Sequence, residues 1–312
     1  MTLYQVNRPS RDEWNRFVSA QPGATIYQSY EWGEIRRSHG WEPHYIALAQ
    51  DGAWVAAALV LVKEFPGGLG AMCYSPRGPI MTAWREGAPA LVEAVGALAR
   101  QRGAMFWRIE PPVQHDDLSV ADCVAQAGFL PVDQEWSYWN RPKYEMKLNI
   151  APGETAIFSG LGTKIPTKVR HASKRGVLIE EGCTEQDMEI FYRLLKNTGA
   201  KKRIPVRGLD YLHCLYRTFI KSGMARLVLA RKDGMPVAGG MTVRYGTMAT
   251  LLYLSNDYSM QRAGDGPRMR DLRFWRHRNR VSAPGDRQGL WRLSIQAQFR
   301  GSDYQVVRLR RL

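Results

Sequence analysis

One pattern of apolar runs broken by a turn occurs twice along this chain. The first copy is His44-Tyr45-Ile46-Ala47-Leu48-Ala49, then Asp51-Gly52, then Val55-Ala56-Ala57-Ala58-Leu59-Val60. The second is Arg226-Leu227-Val228-Leu229-Ala230, then Asp233-Gly234, then Val237-Ala238-Gly239-Gly240-Met241-Thr242. Asp-Gly supplies the positive φ angles of a tight turn, and apolar residues on both sides predict a β-hairpin. Two such hairpins, about half the chain apart, predict a duplicated domain; a solenoid would repeat every few tens of residues.

Between the hairpins, helical and strand patterns alternate. Ser10 and Glu13 read as a capping box opening a helix through about Ser19. A second helix follows Ser29, ends near Gly40, and presents Trp32 and Ile35 on one side with Arg36 nearby. A strand is expected at Leu69–Tyr74, a helix at about Ala88–Arg102, and an apolar strand at Met105–Glu110, stopped by Pro111-Pro112. Later, Gly162 to Val177 reads as a polar helix begun at Pro166 and capped by Gly176, carrying Lys164, Lys168, Arg170, Lys174 and Arg175. It is either a phosphate-holding element or a solvated basic face. Met248–Leu254 is a further apolar strand.

At 312 residues the chain exceeds what one core usually organises and suits two α/β units, 1–150 and 151–312. Charge is divided unequally between them. The first half carries 14 Lys and Arg against 16 Asp and Glu, the second 30 against 13, giving net −2 and +17 of the chain's +15. A surface so basic attracts phosphates of a nucleic acid, a sugar-nucleotide or an anionic membrane face, or it only keeps the domain in solution. The N-terminus lacks the basic-then-apolar order of a signal peptide, and no apolar run approaches membrane-spanning length. Cys73, Cys123, Cys183 and Cys214 are far apart, with no Cys-x-x-Cys spacing, so a reduced, cytoplasmic protein without a metal site is expected. No Ser-His-Asp or Cys-His arrangement is evident, which disfavours a covalent enzyme intermediate.

Four segments, Tyr27-Gln28-Ser29-Tyr30-Glu31-Trp32-Gly33, Tyr74-Ser75-Pro76-Arg77-Gly78-Pro79, Arg108-Ile109-Glu110-Pro111 and Arg170-His171-Ala172-Ser173-Lys174-Arg175-Gly176-Val177, resemble in order and spacing the signature of the Fem aminoacyltransferases. The resemblance covers roughly residues 25–260. It implies two tandem GNAT-like α/β domains. It also implies transfer of an amino acid from aminoacyl-tRNA, without a bound cofactor, to the stem peptide of a peptidoglycan precursor, either UDP-linked or lipid-linked. Peripheral contact with the inner membrane face goes with a lipid-linked acceptor. By the same resemblance Arg36 stands where the family usually has a sugar-nucleotide-contacting Lys, and Glu110 at an acidic position that contacts the precursor. Glu110 otherwise reads as a strand-end carboxylate paired with Arg108 or Arg141. Arg77 lies in the second segment and joins them as a substrate-binding candidate. The family's usual Arg in the polar helix falls at Pro166, leaving Lys164, Lys168 and Arg170 to hold phosphate. Tyr253, on the strand before a glycine loop, is a polar candidate for a cleft, or simply a packed aromatic.

Two further readings stand beside this one. Gln261-Arg262-Ala263-Gly264-Asp265-Gly266 fits the Gln/Arg-x-x-Gly-x-Gly pattern that wraps the acetyl-CoA pyrophosphate, with Gly264 and Gly266 as the binding glycines; it is otherwise a plain turn. An acetyl-CoA-dependent N-acetyltransferase is therefore the alternative enzyme. The other reading is a precursor-binding protein without catalysis, and the C-terminal segment motivates it. No Lys follows Lys232 and no Glu follows Glu189, while residues 262–312 hold 13 Arg. The family supplies an Asp-Phe-Gly-Gly strand here and then Gly-Leu-x-x-Phe-Lys, whose Lys is at the reaction centre. Gly289-Leu290-Trp291-Arg292 keeps the start, but Leu293 and Ser294 replace Phe and Lys. Codons for Asp271 to His277, read one base later, can encode Thr-Phe-Asp-Phe-Gly-Gly, so a frame slip from about residue 262 explains the aberrant composition. A divergent basic tail is the other explanation.

Overall fold

The computed structural model describes residues 3–112, 118–132, 146–161, 164–258, 292–295 and 304–308. The chain divides into two compact units, Met1–Glu145 with Gln296–Leu312, and Met146–Ile295.

The first unit runs β1 (Tyr4–Gln5), α1 (Arg11–Ala20), a 3₁₀ turn at Ile26–Gln28, α2 (Tyr30–Arg37), β2 (Glu42–Gln50), β3 (Ala53–Glu64), β4 (Ala71–Ser75), β5 (Ile80–Met81), α3 (Trp84–Gln101), β6 (Ala104–Ile109), α4 (Leu118–Gln126) and β7 (Leu130–Val132). The second runs β8 (Met146–Asn149), α5 (Glu154–Gly160), α6 (Lys164–Lys174), β9 (Leu178–Gly182), α7 (Glu185–Lys202), α8 (Leu209–Leu215) with a π turn to Ile220, β10 (Ala225–Lys232), β11 (Met235–Tyr245), β12 (Met248–Asn256) and β13 (Arg292–Ile295). A last strand, β14 (Tyr304–Arg308), pairs antiparallel with β6 and β7 in the first unit's sheet.

Both predicted hairpins form. Gln50 faces Ala53 across Asp51 (φ 50°) and Gly52 (φ 82°), and Lys232 faces Met235 across Asp233 (φ 52°) and Gly234 (φ 76°). Each carries a bulge just before its turn, between Leu48 and Ala49 in one and between Ala230 and Arg231 in the other. The first sheet has the order β1-β2-β3-β4-β6-β14-β7, with β5 on β3; the second has β8-β13-β12-β11-β10-β9. Among the described strands each sheet has one parallel pair, β4 with β6 and β12 with β13. Only a crossover connects parallel neighbours, and α3 supplies it in the first unit.

Helices cover the sheets through small residues. Leu91, Val95 and Ala99 of α3 pack on Ala56, Ala58 and Val60 of β3 with Trp107 of β6. In the second unit Phe191 of α7 comes so near Gly239 of β11 that a Cβ there would sit 2.7 Å from its ring. Glycine is what lets this helix approach the strand. At the outer edge of that sheet among the described strands, β9 leaves Leu178 and Ile179 65% and 44% exposed. Its Glu180 and Glu181 pair with Arg231 and Arg226 of β10.

The capping box at Ser10 is present, its hydroxyl accepting from Glu13 N. Two helix starts differ from expectation. α3 begins at Trp84 and carries Pro89 inside, because the turn from Ala83 closes ahead of the proline, with Gly87 N donating to Ala83 O at 3.1 Å. α6 begins at Lys164, two residues before Pro166; the proline still falls in the first turn, where its missing N–H leaves no bond unmade. Its C-terminal cap is as expected, with Gly176 at φ 77° and Val177 N donating to Ala172 O at 3.1 Å.

Candidate functional site

In the first unit three segments meet: α2 with the turn after it, the end of β4 with the turn Ser75–Pro79, and the end of β6. The parallel register sets Tyr74 beside Arg108 and Ser75 beside Ile109. From there a chain of rings and charges runs through the unit. The Arg36 guanidinium lies 4.9 Å from the Trp41 ring centre, Trp41 is 6.2 Å from Tyr74, and Arg108 is 6.0 Å from Tyr74. Arg36, Arg108 and Glu110 are only 7%, 4% and 5% exposed.

Glu110 is the focus of the cluster. Its Oε1 is 3.5 Å from Arg108 Nη2, an ion-pair approach, yet neither carboxylate oxygen accepts a hydrogen bond. A buried carboxylate normally takes several. Its own N–H donates to Gly78 O at 2.9 Å, which ties β6 to the Ser75–Pro79 turn. That turn is fastened from below by Gln28, which is fully buried. Gln28 Nε2 donates to Pro76 O at 2.7 Å, its Oε1 accepts from Leu59 N at 2.9 Å, and its carbonyl accepts from Trp14 Nε1 at 2.8 Å. Any side chain at Gly78 would overlap the Gln28 amide. Arg77 holds a left-handed φ of 49° in the same turn, and Trp107 Nε1 donates to Ser75 Oγ at 3.0 Å.

Among the described residues this arrangement sets the buried Arg36 guanidinium against the Trp41 ring, and the buried Arg108 between the Tyr74 ring and the Glu110 carboxylate. Guanidinium suits phosphate oxygens, and the unmet Glu110 oxygens suit hydroxyl or amide donors. Arg36, Arg77 and Glu110, picked from sequence, fall in one unit: Glu110 is tied to the turn that holds Arg77, while Arg36 is on α2 against Trp41. Arg108, proposed as the ordinary partner of Glu110, is its partner here. Trp41, Tyr74 and Gln28 were missed as site residues, although Gln28 and Tyr74 lie within the segments that carried the resemblance. A cavity of about 560 Å³ elsewhere in the unit, with Arg8, Tyr30, Arg37 and His44 in its lining, contains none of the cluster.

In the second unit Lys168 and Arg170 lie on α6, half-buried and exposed respectively. Lys164 opens that helix. Tyr253 is half-buried on β12, opposite Met241. Ser294 is in β13, in register with Thr250 on one side and Lys147 on the other. Gly264 and Gly266 lie outside the described residues. Cys73 is buried under the first sheet, and burial pushes its thiol up to about 12, the opposite of what a nucleophile needs. Among the described residues no group of His, Cys, Asp and Glu is placed to hold a metal, and no helix is long and apolar enough to cross a membrane.

Two hairpin-centred α/β units, each with a single parallel strand pair among its described strands, define the class as a tandem GNAT-like protein. A crystal structure of FemX superposes with a TM-score of 0.75 at 18% identity, covering 96% of this chain and 89% of that one. A tandem GNAT protein of clavulanic acid biosynthesis gives a TM-score of 0.50 at 10% identity, covering 98% and 97%. The FemAB family profile matches residues 10–128 and 129–258, and the chain belongs to the FemAB family. Lipid II:glycine glycyltransferases of Staphylococcus haemolyticus (strain JCSC1435) and Staphylococcus aureus are 26% and 25% identical to it over 234 and 229 residues. Those alignments take in 73% and 72% of this chain and 55% and 54% of theirs, so the chain spans about half the length of the curated relatives it matches.

Proposed function

We propose that this chain is an aminoacyltransferase that holds a pyrophosphate-bearing muropeptide at the Arg36–Glu110 cluster and adds an amino acid to its stem peptide. The observation that carries this is Glu110: a buried carboxylate with no hydrogen bond on either oxygen, beside the buried Arg108, in a member of the FemAB family. Lipid II as acceptor and glycine as the transferred residue come from the relatives' names. Arg36 and Arg108 supply charge-assisted hydrogen bonds to phosphate or carbonyl oxygens, and Glu110 orients a sugar or peptide N–H or O–H.

In the reaction, the acceptor's amine attacks the carbonyl of an aminoacyl-tRNA ester. The C–N bond forms, the amine loses its proton, and the bond to the tRNA ribose oxygen breaks with that oxygen leaving as a hydroxyl. A cation near the tetrahedral centre would steady its oxyanion. The test is titration of UDP-linked muropeptide into wild type, Arg36→Ala and Glu110→Gln, with transfer assayed using aminoacyl-tRNA and, separately, acetyl-CoA. Weaker binding in both variants and transfer only from aminoacyl-tRNA support the reading. Unchanged binding removes the cluster from the site, and transfer from acetyl-CoA replaces the donor.

A further inference from the structure

Among the described residues of the second unit, two side chains keep buried polar atoms without a hydrogen-bond partner, His213 at Nε2 and Asn256 at both atoms of its carboxamide. Asn256 ends β12 and is fully buried. Its backbone is clamped to α7: Asn256 N donates to Thr198 Oγ1 at 2.9 Å, and Thr198 Oγ1 donates to Asn256 O at 3.2 Å. Its carboxamide is left out of this clamp. Neither Nδ2 nor Oδ1 has a hydrogen-bond partner. The adjacent Ser255, also fully buried, does have one, its Oγ donating to Gly239 O at 3.3 Å.

An unmet buried amide burdens the free protein, and leucine, of nearly the same shape, would fill the site without that penalty. The position of Asn256 supplies a use for it. Among the described residues β13 pairs with β12 at Met248–Thr250, and β11 pairs along the strand as far as Asn256. Leu251–Leu254, beyond the β13 pairing, are half-buried. Asn256 stands at the far end of this stretch, offering one acceptor and one donor in a fixed plane. Their complement is a group with an N–H and a carbonyl one residue apart, and away from water such a pair of bonds is strengthened.

We propose that Asn256 is a substrate-binding residue for an α-amino acyl unit, Oδ1 accepting from its N–H and Nδ2 donating to its carbonyl. This rests on the aminoacyl-transfer reading. The unit occurs in two substrates of that reaction, as the acyl group of the donor and as a residue of the acceptor's stem peptide, and the experiment separates them. Full-length wild type, Asn256→Leu, Asn256→Ala and Arg36→Ala would be titrated with two probes: UDP-linked muropeptide, and 3′-glycylamino-3′-deoxyadenosine, a stable amide analogue of the donor terminus. Thermal unfolding of each protein would be followed in parallel.

The expected result is that Asn256→Leu unfolds at or above the wild-type temperature while losing at least tenfold in affinity for one probe. The probe affected identifies the source of the acyl unit. Asn256→Ala should lose the same probe, so a Leu variant that packs badly does not decide the matter. Unchanged affinity for both probes in both variants overturns the proposal. So does an equal loss for both probes that tracks a fall in melting temperature, since the carboxamide is then structural. Wild type that binds neither probe sinks the aminoacyl-transfer reading itself, and this inference with it. Loss of muropeptide by Arg36→Ala, with Asn256 variants unaffected, leaves the reading standing and removes only Asn256.

Discussion

The two units share a hairpin but treat charge in opposite ways. The first unit, Met1–Glu145 with Gln296–Leu312, is neutral, with 17 Lys and Arg against 17 Asp and Glu, yet it contains all the buried charged residues among the described ones: Glu31, Arg36, Arg108 and Glu110. The second unit, Met146–Ile295, carries 27 Lys and Arg against 12 Asp and Glu, net +15, and its buried polar residues among those described, Thr198, Thr250, Ser255 and Asn256, are uncharged. Net charge therefore marks which unit attracts a polyanion from a distance, whereas buried charge marks where a small anionic group would be held. On the proposed reading this contrast predicts a division of labour, with the muropeptide on the first unit and tRNA on the second.

The largest expected effect tests catalysis in the second unit. Ser294→Lys should raise aminoacyl transfer by about a hundred- to a thousand-fold, the usual worth of one preorganised charge-stabilising group. A chain translated from the shifted frame should do at least as well. Equal turnover by all three would mean that position 294 is no reaction centre and the frame reading is wrong.

Next comes the division itself. Arg36→Ala should weaken muropeptide binding by about 1.5–3 kcal/mol and leave tRNA binding unmoved. Charge reversal of Arg170 should do the converse, flattening the salt dependence of tRNA binding by about one unit of log–log slope. If either variant moves both ligands, the two surfaces are not separate.

Gly78→Ala probes the turn that carries Arg77. Its Cβ would overlap the Gln28 amide, so unfolding should become easier by about 1–3 kcal/mol, with muropeptide affinity falling alongside. A variant as stable as wild type would show that Gln28 can move aside.

The smallest effect is a pH dependence confined to the first unit. Burial holds the His44 imidazole below its ordinary 6.5, and Arg102 and Arg37 add to this against the pull of Glu42. The unfolded chain therefore takes the proton first. Stability from this group is complete above 6.5 and is lost as pH falls toward the folded value. Denaturant midpoints of wild type should fall between about pH 7.5 and about pH 5.5, and those of His44→Gln should fall less.

Much of this was legible in the sequence because it depends on local rules. Asp51-Gly52 and Asp233-Gly234 dictate turns whatever surrounds them, and the Ser10 capping box needs four residues. The family segments led to Arg36, Arg77 and Glu110. What the sequence hid depends on distant pairing. Nothing local marks Gln28 as the fastening of a turn some fifty residues away. Trp41 and Tyr74 become neighbours only when the turn after α2 meets β4. Asn256 looks like any polar residue at a strand end until its partners are counted. The helix starts at Trp84 and Lys164 were misjudged because a proline reads as a boundary, although a first turn can form ahead of it.

The outer strand β9 has a consequence for handling the protein. Among the described strands β9 is the sheet's outer edge, and such an edge with two exposed aliphatic side chains, Leu178 and Ile179, is a template for a strand from another molecule. Glu180 and Glu181 are its gatekeepers, and both are already partly neutralised by Arg231 and Arg226. Replacing the two glutamates with threonine should leave the fold intact and turn the edge adhesive, so that light scattering rises with protein concentration where wild type stays clear.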